Sequence, residues 1–197
     1  MAKDTKDIVI EALISLAAKQ DIVTVEDISR YSGITRNTIQ KNFNNQGING
    51  IVDYINHKIT TEINTELMRF DPDELPLEIF ADITLTIMWK YRREAHVLYT
   101  SNLPFKPRIN SIENSLSLPW VEKRYEALVK AHNLAPIFTA SDLLYFWNSF
   151  LYSVFSLWLS SPIPVDPKEF KPKFIYLVKT SIFDLIYKDI GVHYPSR

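Results

Sequence analysis

Two threonines and a glycine in the segment TVEDISRYSGITRNTIQKNF, residues 24–43, constrain the fold more than any other feature of the sequence. Thr24 is followed three residues later by Asp27, the spacing of a capping box, which predicts the start of a short helix. Thr35 predicts the start of the next short helix. Gly33 lies between the two helices and can adopt the left-handed backbone that a tight turn often requires. The segment therefore predicts a helix–turn–helix.

The side chains of this segment divide into a small core and a polar outer face. The apolar residues spaced to lie beneath the corner are Val25, Ile28, Ile34, Ile39 and Phe43. The residues that the second short helix is expected to expose are Arg36, Asn37, Thr38, Gln40, Lys41 and Asn42. Amide side chains pair with adenine and arginine pairs with guanine, so this face is suited to DNA. The alternative is an ordinary helical corner with a polar surface.

The charge pattern around the second short helix favours the DNA interpretation. From Ile28 to Val52 the chain has three basic residues and no Asp or Glu, a local charge of +3, although the net charge of the protein is −1. Carboxylates on a helix that faces DNA would be repelled by the phosphates. We therefore expect any DNA contact to come from this local patch and not from the overall charge.

In order and spacing, about residues 5–55 resemble the DNA-binding domain of the TetR family of bacterial repressors. The matching positions are Thr24, Asp27, Ile28, Gly33, Thr35, Thr38 and Phe43. Thr24 and Thr35 complete the set of residues predicted to contact DNA. The chain departs from the family at Gln40, where a Tyr is usual, and at Asn42, where a Tyr or His is usual. The resemblance implies a homodimer that binds a roughly palindromic operator in double-stranded DNA, with repression as the usual polarity.

The rest of the chain also has apolar residues at helical spacing, and no convincing alternating strand. We predict an all-α protein of about nine helices. Capping signals recur at 139–142 (TASD) and at 166–169 (DPKE). We assign residues 1–46 to a helix–turn–helix DNA-binding domain, 47–70 to a connecting helix, and 71–197 to an effector-binding and dimerisation domain.

Residues 143–165, LLYFWNSFLYSVFSLWLSSPIPV, carry no charge and allow more than one interpretation. The stretch is close to the minimum length of a transmembrane helix. Against a membrane span stand Asn148, five serines, two prolines near its end, and the lack of a neighbouring basic cluster. We therefore predict a buried helix of a protein that does not enter the membrane.

Small side chains recur along this helix at intervals that would let another helix approach. The stripe consists of Ser149, Ser153, Ser156 and Ser160, and the last helix repeats the same intervals with Phe174, Val178, Ser181 and Leu185. Two such helices, duplicated by a two-fold axis, would make a four-helix bundle. These eight residues are the predicted dimer interface, and the TetR resemblance implies the same pair of helices.

A second set of residues could line an apolar cavity with a few polar groups. The set consists of Trp89, His96, Tyr99, Trp120, Trp147, Leu151, Val154 and Trp158. We predict that it binds a small effector, either aromatic, lipid-like or flat and cationic. The alternative is that these side chains form plain core.

Several classes of chemistry lack a recognisable pattern. The chain has no cysteine, and its four histidines are scattered without the spacing of metal ligands. No phosphate-binding glycine loop or nucleophile elbow is present, so we expect no enzyme, no metal site and no cofactor. The charged N-terminus MAKDTKDIVI is unlike a signal peptide, which favours the cytoplasm.

These features together predict a ligand-responsive transcriptional regulator that acts as a homodimer. An effector bound better by one dimer geometry would change the spacing of the two recognition helices and release the operator. A DNA-binding regulator without a small-molecule effector and a membrane-associated helical sensor are the alternatives.

Overall fold

The computed structural model of the protein describes residues 4–71, 75–104, 118–133 and 135–180. Within these ranges the chain forms nine α-helices and no β-strand, which confirms the predicted all-α fold. The helices are α1 Thr5–Ala17, α2 Val25–Ser32, α3 Arg36–Asn42, α4 Gly47–Leu67, α5 Leu77–Lys90, α6 Arg92–Thr100, α7 Leu118–Ala131, α8 Ala140–Leu159 and α9 Pro167–Lys179.

Polar side chains begin several helices at the positions that the sequence predicts. The Thr24 hydroxyl accepts a hydrogen bond from the Asp27 N–H at 3.2 Å, and the Asp27 carboxylate accepts one from the Thr24 N–H at 3.0 Å. Thr139 forms an equivalent capping box at the start of α8. Asp166 caps α9, whose first residue is Pro167. These caps satisfy backbone N–H groups that have no partner within the helix.

Helix α5 is followed directly by α6, which the sequence analysis did not identify as a separate helix. The chain bends at Tyr91, with φ −100° and ψ 20°, and α6 begins at the next residue. The Tyr91 ring is buried, and its hydroxyl donates to Glu62 Oε2 at 2.7 Å. No Pro or Gly marks the bend in the sequence.

The N-terminal helices share one apolar core beneath the helix–turn–helix. Ile28, Ile39 and Phe43 are buried as predicted, whereas Val25 and Ile34 are half-buried and pack against the same core. Helices α1 and α4 supply further buried side chains, including Val9, Leu13, Ile51, Val52 and Ile55. Side chains of α1 and α4 therefore belong to the same core as those of the two short helices.

Phe174 of α9 lies at the centre of the aromatic core in the C-terminal half. It is fully buried and stacks on Phe80 of α5 at 6.1 Å and on Phe155 of α8 at 6.0 Å between ring centroids. Such offset-stacked rings stabilise a core beyond the area that they bury. The three helices are thus joined by direct aromatic contacts.

Helix α8 contains most of the uncharged stretch 143–165. Leu144, Val154 and Phe155 of α8 are buried, while other side chains of the same helix are exposed. Across the four described ranges, no helix combines the length and the apolar character needed to cross a membrane.

Ion pairs connect α1 and α4 to α5 and α6. Glu11 of α1 receives a hydrogen bond from Arg93 of α6 at 2.9 Å. Lys90 donates to both carboxylate oxygens of Glu62 in α4, at 2.7 and 2.8 Å. These bonds from Lys90, and then the one from Tyr91, hold the pKa of Glu62 below its usual value. The position of α1 and α4 relative to the C-terminal helices is therefore supported by charged contacts.

Candidate nucleic-acid interface

Gly33 forms the turn between α2 and α3 in the left-handed conformation, with φ 74° and ψ 3°. Its N–H donates to the Ser29 carbonyl, which ends α2. The Thr35 hydroxyl then accepts from the Thr38 N–H at 3.2 Å and begins α3. A side chain at Gly33 would strain this backbone by about 1–2 kcal/mol, which explains the glycine at this position.

The start of α4 lies against the end of α3 because Gly50 has no side chain. A Cβ atom at this position would lie 2.3 Å from the Phe43 carbonyl oxygen and 3.1 Å from Cβ of Gln46. Sequence reasoning missed this constraint, because the distance from Gly50 to the Phe43 backbone can be seen only in the structure. The close contact fixes the direction in which the outer face of α3 points relative to α4.

The residues predicted to contact DNA are not equally accessible. Thr24, Thr35, Arg36, Asn37 and Lys41 are exposed, and Thr38, Gln40 and Asn42 are half-buried. Asn42 Nδ2 already donates to the Thr38 carbonyl at 2.8 Å, and the Thr38 and Thr35 hydroxyls are 2.9 Å apart. The face that a partner would meet first consists of Arg36, Asn37 and Lys41.

Gln40 has a different environment from the exposed residues of α3. Its Oε1 atom is buried and has no hydrogen-bond partner among the residues that the structure describes. A base edge cannot reach this atom in the observed conformation. The predicted pairing of Gln40 with adenine therefore requires its side chain to rotate outward.

Arg36, at the first turn of α3, forms an ion pair with α2 that the sequence did not predict. Its Nη1 atom lies 3.1 Å from Oε2 of Glu26, and Nη2 of Arg30 lies 4.0 Å from Oε1 of the same carboxylate. All three side chains are largely exposed. Glu26 lies in α2, just before the stretch without acidic residues, so only the fold brings it next to α3, the predicted recognition helix.

The second acid of α2 has a local role. Asp27 accepts hydrogen bonds from the Thr24 hydroxyl at 2.6 Å and from the Thr24 N–H at 3.0 Å. These bonds, the one from the side chain first, hold the pKa of Asp27 below its usual value. Asp27 therefore stays ionised as part of the cap, and Glu26 is the acid that faces the basic side chains of this surface.

Trp158 is at the centre of the residues predicted to bind an effector. Its ring stacks on Trp89 at 5.8 Å and on Phe170 at 4.7 Å between centroids. Its Nε1 donates to the Val165 carbonyl at 2.9 Å, and the guanidinium of Arg92 lies 4.9 Å from the centre of the Trp89 ring. The structure therefore brings two of the predicted residues, Trp89 and Trp158, into direct contact.

The polar members of the predicted effector set also contact other parts of the core. His96 Nδ1 lies 2.8 Å from the Leu159 carbonyl oxygen in the last turn of α8. Tyr99 packs edge-on against Tyr152 at 5.2 Å, and burial raises the pKa of its phenol. Both side chains connect α6 to α8.

The remaining predicted effector residues lie along α8 or in α7. Trp147 packs on Phe80 at 5.6 Å and, like Leu151, is half-buried against the core. Val154 is buried. The side chain of Trp120 lies outside the described residues.

The predicted dimer residues divide between surface and core. On α8, Ser153 is exposed, and Ser149, Ser156 and Ser160 are half-buried. On α9, Val178 is half-buried. Phe174 is instead completely buried inside its own protomer, so it presents no surface to a second copy. Ser181 and Leu185 lie outside the described residues.

Large apolar side chains are exposed beside the serine stripe. On α8, Phe146 is 52% exposed and Leu157 is 61% exposed. After α8, Ile163 is 87% exposed, and Val165 and Tyr176 are nearly half exposed. Because exposed apolar side chains grouped in this way are typical of interaction surfaces, this face of α8 and the segment after it are a candidate contact surface.

Comparisons of the chain with protein-family models, with curated proteins and with solved structures gave no match.

Proposed function

We propose that the protein is a sequence-specific DNA-binding transcriptional regulator of the TetR type. The observation that carries the proposal is the exposed face of α3, with Arg36, Asn37 and Lys41, in a stretch without carboxylates. The left-handed turn at Gly33 and the close approach at Gly50 set the position of α3 relative to α2 and α4. A helix that presents donors and positive charge is suited to the major groove.

A homodimer is the second part of the proposal. Phe146, Ser153 and Leu157 lie exposed along α8, and Ile163, which follows the helix, is exposed as well. Burial of such a surface between two copies would pair the recognition helices by a two-fold axis. Half-site centres of the operator would then lie about 34 Å apart or a multiple of it, which requires a roughly palindromic sequence.

The third part of the proposal concerns how DNA binding by the protein is regulated. We propose that a small apolar or aromatic effector binds among the aromatic residues of α5, α6 and α8 and lowers operator affinity, so that the protein represses transcription in the cytoplasm until the effector is present. The direct stacking of Trp158 on Trp89 and Phe170 favours the second candidate, a regulator in which these rings are plain core and no effector binds. A screen of apolar ligands by thermal shift distinguishes the two candidates.

Selection of duplexes from a random library with the purified protein tests DNA binding. We expect a palindromic consensus and nanomolar affinity at physiological salt. Lys41→Ala should weaken binding to all sequences and reduce the slope of log K against log [salt] by about 0.9, the loss of one phosphate contact. The matched control is Lys173→Ala, which removes an exposed lysine from α9. The DNA proposal is contradicted if selection yields no consensus or if both variants behave alike.

Sedimentation velocity tests the homodimer. Leu157→Glu places a charge in the proposed contact surface and should shift the protein towards the monomer. Ile22→Glu changes an apolar residue that is 77% exposed between α1 and α2, far along the chain from α8, and should leave the dimer intact. A monomeric wild-type protein at micromolar concentration would exclude the paired recognition helices.

A further inference from the structure

Glu26 forms an ion pair with Arg36, the arginine on the exposed face of α3. The ion pair between Glu26 Oε2 and Arg36 Nη1 is a single contact of 3.1 Å and is not bidentate. A guanidinium has five N–H donors in a fixed plane, so most of the Arg36 donors stay available to another acceptor. The single contact with Glu26 therefore limits the orientation of the Arg36 guanidinium but leaves most of its N–H donors available.

The ion pair between Glu26 and Arg36 contributes little free energy, but it involves a side chain that is predicted to contact DNA. The two side chains are 57% and 63% exposed, and exposed ion pairs of this kind contribute about 0.2–1 kcal/mol. Arg30 approaches the same carboxylate only at 4.0 Å, so Arg36 is its nearer partner. An energy of this size does not matter for folding, but it shifts the ratio of two competing DNA complexes by about 1.4- to 5-fold.

We propose that Glu26 is a specificity-determining residue that positions Arg36 for base contact and disfavours its use on phosphates. This inference rests on the proposed DNA-binding function. On an operator, Arg36 keeps its contact with Glu26 and directs its free edge at a base, with guanine as the fitting partner. On non-specific DNA, Arg36 has no matching base and turns to a phosphate, which breaks the pair and brings the carboxylate of Glu26 close to the polyanion.

The experiment compares Glu26→Gln with wild type on a selected duplex and on a scrambled one. Affinity for the scrambled duplex should rise about 1.4- to 5-fold, because Arg36 no longer has to break its ion pair with Glu26 to reach a phosphate. Affinity for the selected duplex should rise less or fall. The ratio of the affinity for the selected duplex to that for the scrambled duplex should therefore fall by a factor of up to about 5.

The matched control is Glu11→Gln in α1. Glu11 also forms a single ion pair with an arginine, Arg93, at 2.9 Å, and it is similarly exposed. This change removes the same charge from the protein and should leave the affinity ratio unchanged. In an Arg36→Ala background, Glu26→Gln should lose its effect on the ratio as well, since no arginine remains to be positioned.

Each outcome has a defined meaning. Circular dichroism of each variant checks that the helices are intact. The wild-type protein should discriminate between the duplexes. If Glu26→Gln has the same affinity ratio as wild type, even with a higher affinity for both duplexes, the inference is refuted while the DNA-binding proposal stands. If wild type does not discriminate between any duplexes, the DNA-binding proposal fails and the inference fails with it.

Discussion

Gly50→Ala should destabilise the protein, although a glycine-to-alanine change inside a helix normally stabilises it by about 0.5–1 kcal/mol. The new Cβ would lie 2.3 Å from the Phe43 carbonyl oxygen, whereas distances under 3.0 Å are essentially never seen. The backbone at the end of α3 must therefore move by at least about 0.7 Å, and overpacking of this kind costs about 1–3 kcal/mol. Because the obstacle is a backbone atom and not a flexible side chain, we take the upper end and expect a net loss of about 2 kcal/mol.

Thermal denaturation followed by circular dichroism measures this loss. For a chain of this length, about 2 kcal/mol corresponds to a fall in Tm of about 4–8 °C. The N–H of Gln46 donates to the same Phe43 carbonyl at 3.1 Å, so its hydrogen exchange should also become faster. Asn49→Ala, at the neighbouring exposed position of α4, gains helix propensity without a clash and should be neutral or slightly stabilising. An unchanged or higher Tm for Gly50→Ala would contradict the close approach of Gly50 to the Phe43 carbonyl oxygen.

Two further predictions concern the caps and the core. Thr24→Ala should cost roughly 1 kcal/mol at pH 7 through loss of the N-cap. The pKa of Asp27 is lowered in the folded protein, so its contribution is present above the ordinary carboxyl pKa of about 3.9 and is lost as the pH falls through the lower folded value. The difference between Thr24→Ala and wild type should therefore shrink between pH 7 and pH 3 in thermal denaturation, and an unchanged difference would contradict this role of the cap. Phe174→Ala should cost about 3–5 kcal/mol in denaturant unfolding, while Ile22→Ala should stay within about 0.5 kcal/mol; similar values for the two would contradict the burial of Phe174.

The starts of the helices could be predicted from the sequence because a cap is a local interaction. Thr24 and Thr139 each find their partner three residues later, and Asp166 caps the helix that follows it. The left-handed turn at Gly33 is local in the same sense, since it depends on one residue and its neighbours. The sequence analysis did not identify α6, which begins directly after Tyr91, where the contact with Glu62 comes from a different helix.

For the candidate interface, the sequence identified which side chains of α3 are polar but not which of them are accessible. Helical spacing alone placed Gln40 beside Arg36 on the outer face, yet Oε1 of Gln40 is buried and only the fold could show it. Phe174 is a second example, because its spacing along the last helix predicted an interface residue but its side chain is buried in the core. A periodic pattern gives the face of a helix, but the neighbouring helices decide how deeply each part of that face is covered.

The sequence by itself determined the all-α class, the helix caps and the glycine turn, because these depend on interactions between residues a few positions apart. Only the tertiary structure decided that Glu26 meets Arg36, that Gly50 permits α4 to touch Phe43, and that Trp158 stacks on Trp89. Two of these contacts join residues of different helices, and the contact of Gly50 joins α4 to the residue that follows α3. Their distance depends on the packing of whole helices around a common core, and no short stretch of sequence encodes that packing.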